Sequence, residues 1–419
     1  MKCVRGMKDV FGTDGLLFNE IIKLGKRLAV SNGFETLHTP ILEFSEVFER
    51  NLGEESDIVS KEIYKFKDRS DNSLALRPEF TAGIMRHAVE NSLHKGVLPV
   101  KYFSYGPLFR YDRPQKGRYR QFNQLNFEYI GGSDKTNIDL YIINLAHELL
   151  KALKIEDVTL KINALPNNKD QYLKELYKYL TPYKDRLSED SQNRLEKNPL
   201  RILDSKSSED KSILEDAPQI KDFLSEQESK DFEMLTANLS SLGIKFEIDA
   251  NLVRGLDYYT STIFEFVPSE IEFSQSTILA GGRYDNLFKD MSGGQTQLPC
   301  VGFSAGVERL MLFSKLKPVS KTKTALIYVN ETDIVDVFNI ANKFNSVNLP
   351  VDVILSGNSV IKRIKKADQI GCKYAIIIGE AEKQDNIFML KNLQTQLPDF
   401  DGTIEDLIKW LINSEKNGR

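Results

Sequence analysis

The stretch that decides the fold is Phe109–Glu128, FRYDRPQKGRYRQFNQLNFE. Two alternating runs flank a loop that carries five cationic side chains, which are Arg110, Arg113, Lys116, Arg118 and Arg120. Successive side chains of an extended chain point to opposite faces, so this pattern predicts the two strands of a hairpin. An arginine-rich loop of this kind suits a polyphosphate that lies beside a small polar or cationic ligand.

The return strand separates polar from apolar side chains. One face carries Phe122, Gln124, Asn126 and Glu128, and the other carries Leu125, Phe127 and Tyr129. We therefore expect the hairpin to turn one face toward a site and the other toward a core. The ordinary alternative is a hairpin whose polar face is merely exposed to water.

Composition narrows the class of protein. The chain has 419 residues, 41% of them hydrophobic, and a formal net charge of -4. This length predicts two or more domains, and a nucleic-acid partner would have to be bound by local basic patches. Cys3, Cys300 and Cys372 are scattered and odd in number, and the four histidines lack the spacing of metal ligands. Neither a disulfide framework nor a zinc site is therefore expected.

Apolar runs set the expectation for the cellular setting. No run reaches the ~18 apolar residues of a membrane span, and the N-terminus does not read as a signal peptide. We expect no membrane partner and a reducing, cytoplasmic location.

The first part of the chain mixes helices and strands. Periodicity predicts helices over residues 14–31, 80–93 and 135–153. Residues 34–43 read as a strand that Pro40 interrupts, and proline belongs at a sheet edge or an interface. Residues 280–285, AGGRYD, read as a turn.

Two changes of texture mark further subdivisions. Residues 167–245 are polar and helix-like, which indicates a helical insertion. After a boundary near residues 316–323, apolar runs at 325–329, 351–355 and 374–378 alternate with helical patterns at 332–345 and 359–370. This alternation predicts a small C-terminal α/β domain.

Three other segments carry chemistry-bearing residues. The segment LRPEFTA (76–82) has Glu79 near Thr81, and Thr81 is placed to cap the next helix. The segment RGLDYY (254–259) joins an arginine to paired tyrosines. The segment GFSAGVERL (302–310) puts Arg309 on a helix. Each has an ordinary explanation, namely a capping carboxylate, packed tyrosines and a surface ion pair.

Together these segments resemble class II aminoacyl-tRNA synthetases, and within that class the histidyl-tRNA synthetase family. Residues 33–48, 109–128 and 302–309 are similar to motifs 1, 2 and 3, and RGLDYY and AGGRYD are similar to the two signatures of the histidine enzymes. The resemblance implies an α+β class II core, an antiparallel sheet flanked by helices, over residues 1–318. It also implies a C-terminal α/β anticodon-binding domain over residues 323–419.

The resemblance implies a histidine–tRNA ligase that uses ATP with Mg²⁺ as a substrate complex and holds no protein-ligated metal. Arg110 and Arg254 would be catalytic. The ATP-binding residues would be Arg110, Asp112, Arg118, Phe122 and Arg309, with Phe122 stacked on adenine. The histidine-binding residues would be Glu79, Thr81, Gln124, Glu128, Arg254, Tyr258 and Tyr259.

The resemblance also implies macromolecular partners. Gln115 and Lys116 at the tip of the hairpin loop would bind the tRNA, and the chain would form a homodimer through motif 1. A basic helical cluster, KRIKK (362–366), is a secondary candidate for an anticodon contact, although such a face is most often merely solvated.

The sequence departs from the family pattern at three positions. Asp112 stands where motif 2 has a glutamate, Phe80 where a glycine is usual, and Asn123 where histidine is common. None of these removes a charge from the implied reaction, but Asp112 puts one adenine contact in question.

Two rivals remain at this point. The regulatory subunits of a histidine-biosynthesis phosphoribosyltransferase resemble the same core, but they typically lack the anticodon domain and lose catalytic residues. The presence of Arg110, Arg254 and Arg309, and of about a hundred residues after the core, favours the enzyme. A synthetase-like protein that binds RNA or ATP without turnover is the other rival.

Overall fold

The computed structural model describes residues 1–49, 58–269, 277–294, 296–318, 323–394 and 399–417. The chain divides into two compact units, Met1–Pro318 and Val319–Arg419. No helix in the described part of the chain is long and apolar enough to cross a membrane.

The first unit alternates strands with helices. Its strands are β1 Glu35–Thr36, β2 Leu42–Phe44, β3 Tyr64–Lys67, β4 Ser73–Leu76, β5 Val100–Phe109, β6 Gln121–Ile130, β7 Val158–Ala164, β8 Phe246–Ile248, β9 Thr262–Pro268, β10 Leu279–Arg283 and β11 Cys300–Gly306. Its helices are α1 Gly12–Ser31, α2 Glu46–Glu49, α3 Thr81–Glu90, α4 Lys135–Ala152, α5 Lys169–Leu180, α6 Glu189–Leu195, α7 Ser208–Leu214, α8 Glu226–Ser241, α9 Leu287–Met291 and α10 Val307–Phe313.

Eight strands form the main sheet in the order β1-β5-β6-β11-β10-β9-β7-β8. The central pairs are antiparallel, while β1 joins β5 and β8 joins β7 in parallel. The expected antiparallel sheet flanked by helices is confirmed, with a parallel pair at each edge.

Period-two alternation gives the sheet two different faces. Phe103, Leu125 and Phe127 pack with α1 and α4 in one core, in which all three side chains are fully buried. The opposite face carries the intervening residues, and α3 and the helical insertion pack against it. The polar residues of β6 belong to this second face, where the candidate site lies.

The turn predicted over residues 280–285 is wrong for its first four residues. Ala280–Arg283 lie in β10, which is paired on both sides with β9 and β11. Side chains would not fit here, because a Cβ on Gly281 would lie 2.3 Å from the Gly302 carbonyl oxygen. The glycine pair that resembles a turn therefore serves close strand packing.

The proline-interrupted strand splits into β1 and β2 on either side of Pro40. The β1 strand joins the main sheet, and β2 joins a separate three-stranded sheet in the order β2-β4-β3. The sequence analysis treated residues 34–43 as one strand interrupted at Pro40, whereas the structure has two strands in two different sheets.

Residues 167–245 contain helices α5–α8, joined by short 3₁₀ turns. Ser188, Ser207 and Ser225 cap three of these helices, and Ser225 forms a capping box with Glu228. Asp210 is fully buried and accepts hydrogen bonds from the hydroxyl groups of Ser188, Ser191 and Ser205, at 2.7, 2.6 and 2.5 Å. This network gives the insertion a polar centre of its own.

The second unit is an α/β domain, as the alternation of runs predicted. Its strands are β12 Thr324–Tyr328, β13 Val351–Val353, β14 Tyr374–Ile378, β15 Phe388–Asn392 and β16 Phe400–Gly402, in the order β13-β12-β14-β15-β16. Its helices are α11 Ile334–Ser346, α12 Val360–Gln369, α13 Glu380–Asp385 and α14 Ile404–Asn417. The sequence did not predict β15, β16 and α14.

The basic cluster of residues 362–366 is not uniformly exposed. Arg363 is buried and donates to the Tyr328 carbonyl oxygen at 3.0 Å, with its guanidinium over the Tyr328 ring. Including Arg363 among candidate RNA contacts was therefore wrong. Lys362, Lys365 and Lys366 remain exposed on α12.

We predict that Gly281→Ala lowers the free energy of unfolding by about 1–3 kcal/mol, because overpacking a sheet interior forces the backbone to shift. Gly15→Ala is the control, since its Cβ would meet nothing nearer than the Val10 carbonyl oxygen at 3.6 Å and α1 favours alanine. Urea unfolding of the two variants measures the difference. Equal stability would contradict the close-packing role of β10.

Candidate active site

The candidate site is a cavity of about 900 Å³ on the second face of the main sheet. The sequence-predicted residues that line it are Glu79, Thr81, Arg110, Asp112, Arg118, Phe122, Gln124, Arg254, Tyr258, Tyr259 and Arg309. Glu128 lies just beneath the lining, bonded to Thr81. Gln115 and Lys116 lie outside it, exposed at the loop tip.

Two arginines enter the cavity, and among the described residues their hydrogen-bond partners are backbone carbonyl oxygens. Arg110 donates through Nε to the Pro78 carbonyl at 2.9 Å. Arg309 donates to the Gly117 and Thr277 carbonyls at 3.1 and 2.6 Å. Within the described residues neither forms an ion pair. These hydrogen bonds fix the guanidinium groups without neutralising them.

Arg118 is the third member of a cationic cluster that also contains Arg110 and Arg309. Burial first, and then the positive charges of Arg110 and Arg118, lower the pKa of Arg309 to about 10. Burial also lowers the pKa of Arg110, although Glu62 and Glu79 act against it. Because these cations repel one another in a partly buried cavity, a polyanion that binds among them relieves the repulsion and is bound favourably.

Asp112, the departure from motif 2, is an internal ion-pair partner. Its carboxylate pairs with Arg118 Nε and accepts a hydrogen bond from the Arg113 backbone N–H at 2.6 Å. Glu62 binds the same arginine at 3.3 Å. Asp112 therefore orients Arg118 within the loop.

Glu79 caps helix α3, a role that the sequence assigned to Thr81. The Glu79 carboxylate accepts the backbone N–H groups of Thr81 and Ala82 at 2.5 and 2.7 Å. Burial raises the pKa of Glu79 against these hydrogen bonds. The Thr81 hydroxyl instead donates to Glu128 at 2.6 Å. The expectation that Thr81 caps the helix was wrong, because Thr81 is the first residue of α3 and its hydroxyl is bonded to Glu128.

Glu128 is the most enclosed carboxylate of the site, with 1% of its surface exposed. It accepts hydrogen bonds from Thr81, from Asn126 at 3.0 Å and from the Tyr284 hydroxyl. Burial raises its pKa to about 7. Gly302 pairs with Glu128 across the sheet and leaves room for the carboxylate, since a Cβ there would overlap it.

Three tyrosine rings surround this carboxylate. Tyr258 and Tyr259 have ring centroids 4.7 Å apart, and Tyr284 lies 5.4 Å from Tyr258. Burial raises the pKa of all three phenols, so each stays a neutral hydrogen-bonding group. The sequence did not single out Tyr284, although it lies within the AGGRYD string.

Arg254 stands across the cavity from β6. It pairs with Glu265 on β9, and the Thr277 hydroxyl donates to the other Glu265 oxygen at 2.6 Å. Burial acts to lower the pKa of Arg254, but Glu265 and Tyr259 outweigh it and the net shift is upward. Glu265 is the one charged residue in the largely apolar strand TIFEFVP. That pattern could have identified it as a functional residue, but the sequence analysis missed it.

Among the described residues, three buried polar atoms in or next to the site have no hydrogen-bond partner. They are Nε of Arg254, a donor, and Oε1 of Gln124 and Oδ1 of Asn126, which are acceptors. Unpartnered buried groups cost about 1–3 kcal/mol each, so a bound ligand that supplies an anion and an N–H group would be favoured.

The helical insertion holds the loop that carries Arg254. Lys169 donates to the Tyr259 carbonyl, and Asn198 donates to the Asp257 carboxylate at 3.0 Å. Insertion residues Arg201, Lys206 and Lys211 also line the cavity. In the described part of the chain, no group of three or more His, Cys, Asp or Glu side chains is placed to hold a metal ion.

Comparisons with known proteins agree with this geometry. A family model described as histidyl-tRNA synthetase matches residues 19–310, and one described as an anticodon binding domain matches residues 323–414. The histidine–tRNA ligase of Rickettsia bellii is 45% identical over 413 residues, covering 97% of this chain and 98% of that protein. The enzyme of Rickettsia canadensis is 43% identical, with coverage of 97% and 98%.

A solved structure shows the same architecture. The apo histidyl-tRNA synthetase of S. aureus superposes with a TM-score of 0.80 at 28% identity, covering 98% of this chain and 99% of that one. The fold is therefore that of a class II aminoacyl-tRNA synthetase. With the family model spanning most of the first unit, the chain belongs to the histidyl-tRNA synthetase family.

We predict that the stability of this protein falls as pH rises from 4.5 to about 7, relative to a Glu128→Gln variant. A carboxyl group whose pKa is raised by folding favours the protonated state, so its stabilising contribution is full below the unfolded pKa and is lost as pH passes the folded pKa. The expected loss is up to about 3 kcal/mol. Urea unfolding of both proteins at pH 5 and pH 8 measures it.

The difference between the two proteins is the informative quantity, because the second unit is identical in both and its contribution cancels. A pH dependence that is the same in Glu128→Gln would contradict the raised pKa.

Proposed function

We propose that this chain activates histidine with ATP to histidyl-adenylate and pyrophosphate, and then transfers histidine to the 3′ end of its tRNA. The observation that carries the proposal is that one cavity holds both an unpartnered hydrogen-bond donor and an unpartnered acceptor among its described residues. Among the described residues, Arg254 has a buried donor and Gln124 a buried acceptor that lack hydrogen-bond partners, and both lie beside a cationic cluster. A zwitterionic amino acid next to a polyphosphate would pair its carboxylate with the donor and its ammonium group with the acceptor, while the polyphosphate pairs with the cations.

Histidine is bound through both ends of the molecule. The α-ammonium group is placed by Gln124, Thr81 and the Glu79 carboxylate, and the carboxylate by Arg254. Glu128, Tyr258 and Tyr259 surround the imidazole and bond its ring nitrogens. An amino acid without two ring nitrogens would leave these buried groups unsatisfied, which can discriminate by ~10⁴-fold.

ATP enters as its Mg²⁺ complex, which is a substrate. Arg110 contacts the α-phosphate, Arg118 and Arg309 contact the γ-phosphate, and Phe122 stacks on adenine. The positions of these residues support the assignment. The Arg110 guanidinium lies 5.3 Å from the centroid of the Phe122 ring. Arg118 belongs to the hairpin loop and pairs with Asp112, and Arg309 donates to the Gly117 carbonyl of the same loop. Asp112 contributes by orienting Arg118 through its ion pair.

The chemical step needs charge stabilisation more than proton transfer. The histidine carboxylate, already ionised, attacks the α-phosphorus in line and pyrophosphate leaves. Arg110 and Arg254 stabilise the charge that develops on the phosphoryl oxygens. No general base is required for this step, which fits a cavity lined by Arg110, Arg118, Arg254 and Arg309.

Each unit contributes surfaces suited to tRNA. In the first unit, Gln115 and Lys116 are exposed at the loop tip, where they can meet the acceptor end. In the second unit, Lys362, Lys365 and Lys366 form an exposed basic face on α12 that suits the anticodon arm.

The regulatory-subunit rival is less well supported. Such a subunit needs histidine binding but not a complete set of phosphate contacts. Here Arg110, Arg118, Arg254 and Arg309 all line one cavity. The presence of an anticodon-binding unit also favours the ligase.

We expect ATP–pyrophosphate exchange to be stimulated by histidine and by no other amino acid in a full panel, with selectivity over glutamine of at least ~10³-fold. Charging of total tRNA with labelled histidine should follow. The protein is quantified by active-site titration, so that inactive material is not counted. Exchange with a different amino acid, or none in titrated protein, would overturn the assignment.

We also propose a homodimer that forms on one face of the three-stranded sheet. Leu42 and Phe44 of β2 and Phe66 of β3 are 44%, 53% and 44% exposed. The register places Leu74 and Leu76 of β4 between them on the same face. A contiguous apolar face of this kind is typical of an interface, and β2 lies in the motif 1 segment.

The paired variant Phe44→Asp, Phe66→Asp should convert a dimer to monomers, because each dimer would bury four unpaired charges. Val97→Asp is the control, since Val97 is 91% exposed and lies outside this face. Light scattering coupled to gel filtration measures the mass. A wild-type monomer, or a dimer unaffected by the paired change, would contradict this interface.

A further inference from the structure

We infer that Glu265 and Thr277 are positioning residues that hold Arg254 and Arg309 in a fixed relation across the cavity. The inference rests on the proposed function, since it concerns how those two arginines meet the substrates. The sequence motifs contain both arginines but neither positioning residue.

The connection is a continuous chain of hydrogen bonds. Arg309 Nη1 donates to the Thr277 carbonyl oxygen at 2.6 Å, and the Thr277 hydroxyl donates to Glu265 Oε2 at 2.6 Å. Glu265 Oε1 in turn accepts from Arg254 Nη1. Arg309 Nε also donates to the Gly117 carbonyl at 3.1 Å, so the chain reaches the hairpin loop.

Strand alternation aims Glu265 at the cavity. Its neighbours Phe264 and Phe266 are buried in the core on the other face of the sheet. Glu265 lines the cavity and pairs in register with Lys161 and Ala280, on the strands to either side. A central strand between two partners is a rigid support for a side chain, which is what a positioning residue requires.

Glu265 binds one end of the Arg254 guanidinium. Nη1 donates to Glu265, whereas no described residue hydrogen-bonds the buried Nε. The ion pair is also shielded, with the two side chains only 18% and 16% exposed. Glu265 thus anchors one end of the guanidinium and leaves Nε available to a substrate anion.

Two opposing effects follow from this arrangement. The pair removes the rotational freedom of Arg254, which favours the transition state, but it also offsets part of the positive charge. Orientation dominates if loss of the pair slows adenylate formation. Charge offset dominates if loss of the pair accelerates it. The direction of the change therefore decides between them.

The test is ATP–pyrophosphate exchange by the full chain carrying Glu265→Gln or Thr277→Val. Glutamine keeps the shape of Glu265 without its charge, and valine keeps the Thr277 backbone carbonyl without its hydroxyl. We expect kcat to fall about 10- to 100-fold in Glu265→Gln, as for a lost hydrogen bond to a charged group, and less in Thr277→Val. KM for ATP should change less than about threefold, because the positioning of Arg254 acts mainly in the transition state and contributes little to ground-state binding of ATP.

A double-mutant cycle separates positioning from general stability. In an Arg254→Ala background, Glu265→Gln should cost less than about twofold in kcat, since the group it orients is gone. Glu247→Gln, an exposed carboxylate on the edge strand β8, is the matched control and should leave kcat unchanged. Thr277→Val keeps the inference testable if Glu265→Gln does not fold.

Several outcomes would overturn the inference. They are a faster or unchanged kcat in Glu265→Gln, an effect confined to KM, or an equal loss in the Arg254→Ala background. Failure of the wild-type protein to show histidine-dependent exchange would instead overturn the proposed function. The two failures are thereby distinguishable.

Discussion

The pairing of β6 with β11 is the constraint on which the rest of the site depends. In this register Glu128 lies opposite Gly302, and Phe127 lies opposite Phe303. The phenylalanines stack in the core with ring centroids 4.7 Å apart, while Glu128 lies over a residue without a side chain. A slip of one residue would send Glu128 into the apolar core and Phe127 into the cavity.

Arginine serves two different purposes in the first unit, and its surroundings distinguish them. Arg283 is buried with two carboxylates, Asp139 at 2.5 Å and Asp285 at 3.0 Å, so its charge is matched within the protein. Arg110 and Arg309 are bonded to carbonyl oxygens instead, which orient them and leave their charge available. The first arrangement supports the end of β10, which Tyr284 follows, and the second prepares an anion site.

The local elements were predictable where periodicity was strong. The helices predicted over 14–31 and 135–153 are Gly12–Ser31 and Lys135–Ala152, and the β5–β6 hairpin has the expected alternation. Prediction failed at residues 280–283, because glycines signal a turn by local preference. Here Gly281 and Gly282 lie in a central strand, since neighbouring strands approach too closely for a Cβ. Tyr284 was missed for another reason, because its partner Glu128 is distant in the chain, whereas Glu265 carried a local signal that the sequence analysis overlooked.

The sequence by itself determined the class of chemistry, because arginine-rich loops and paired tyrosines are local patterns that a chain carries before it folds. It also determined which face of β6 would be polar, since alternation is a property of the extended backbone. Only the tertiary structure decided which cations would be left without a counter-ion and which would be paired. That decision depends on strand order and burial, which bring Glu265 to Arg254 and leave Arg309 among carbonyl groups.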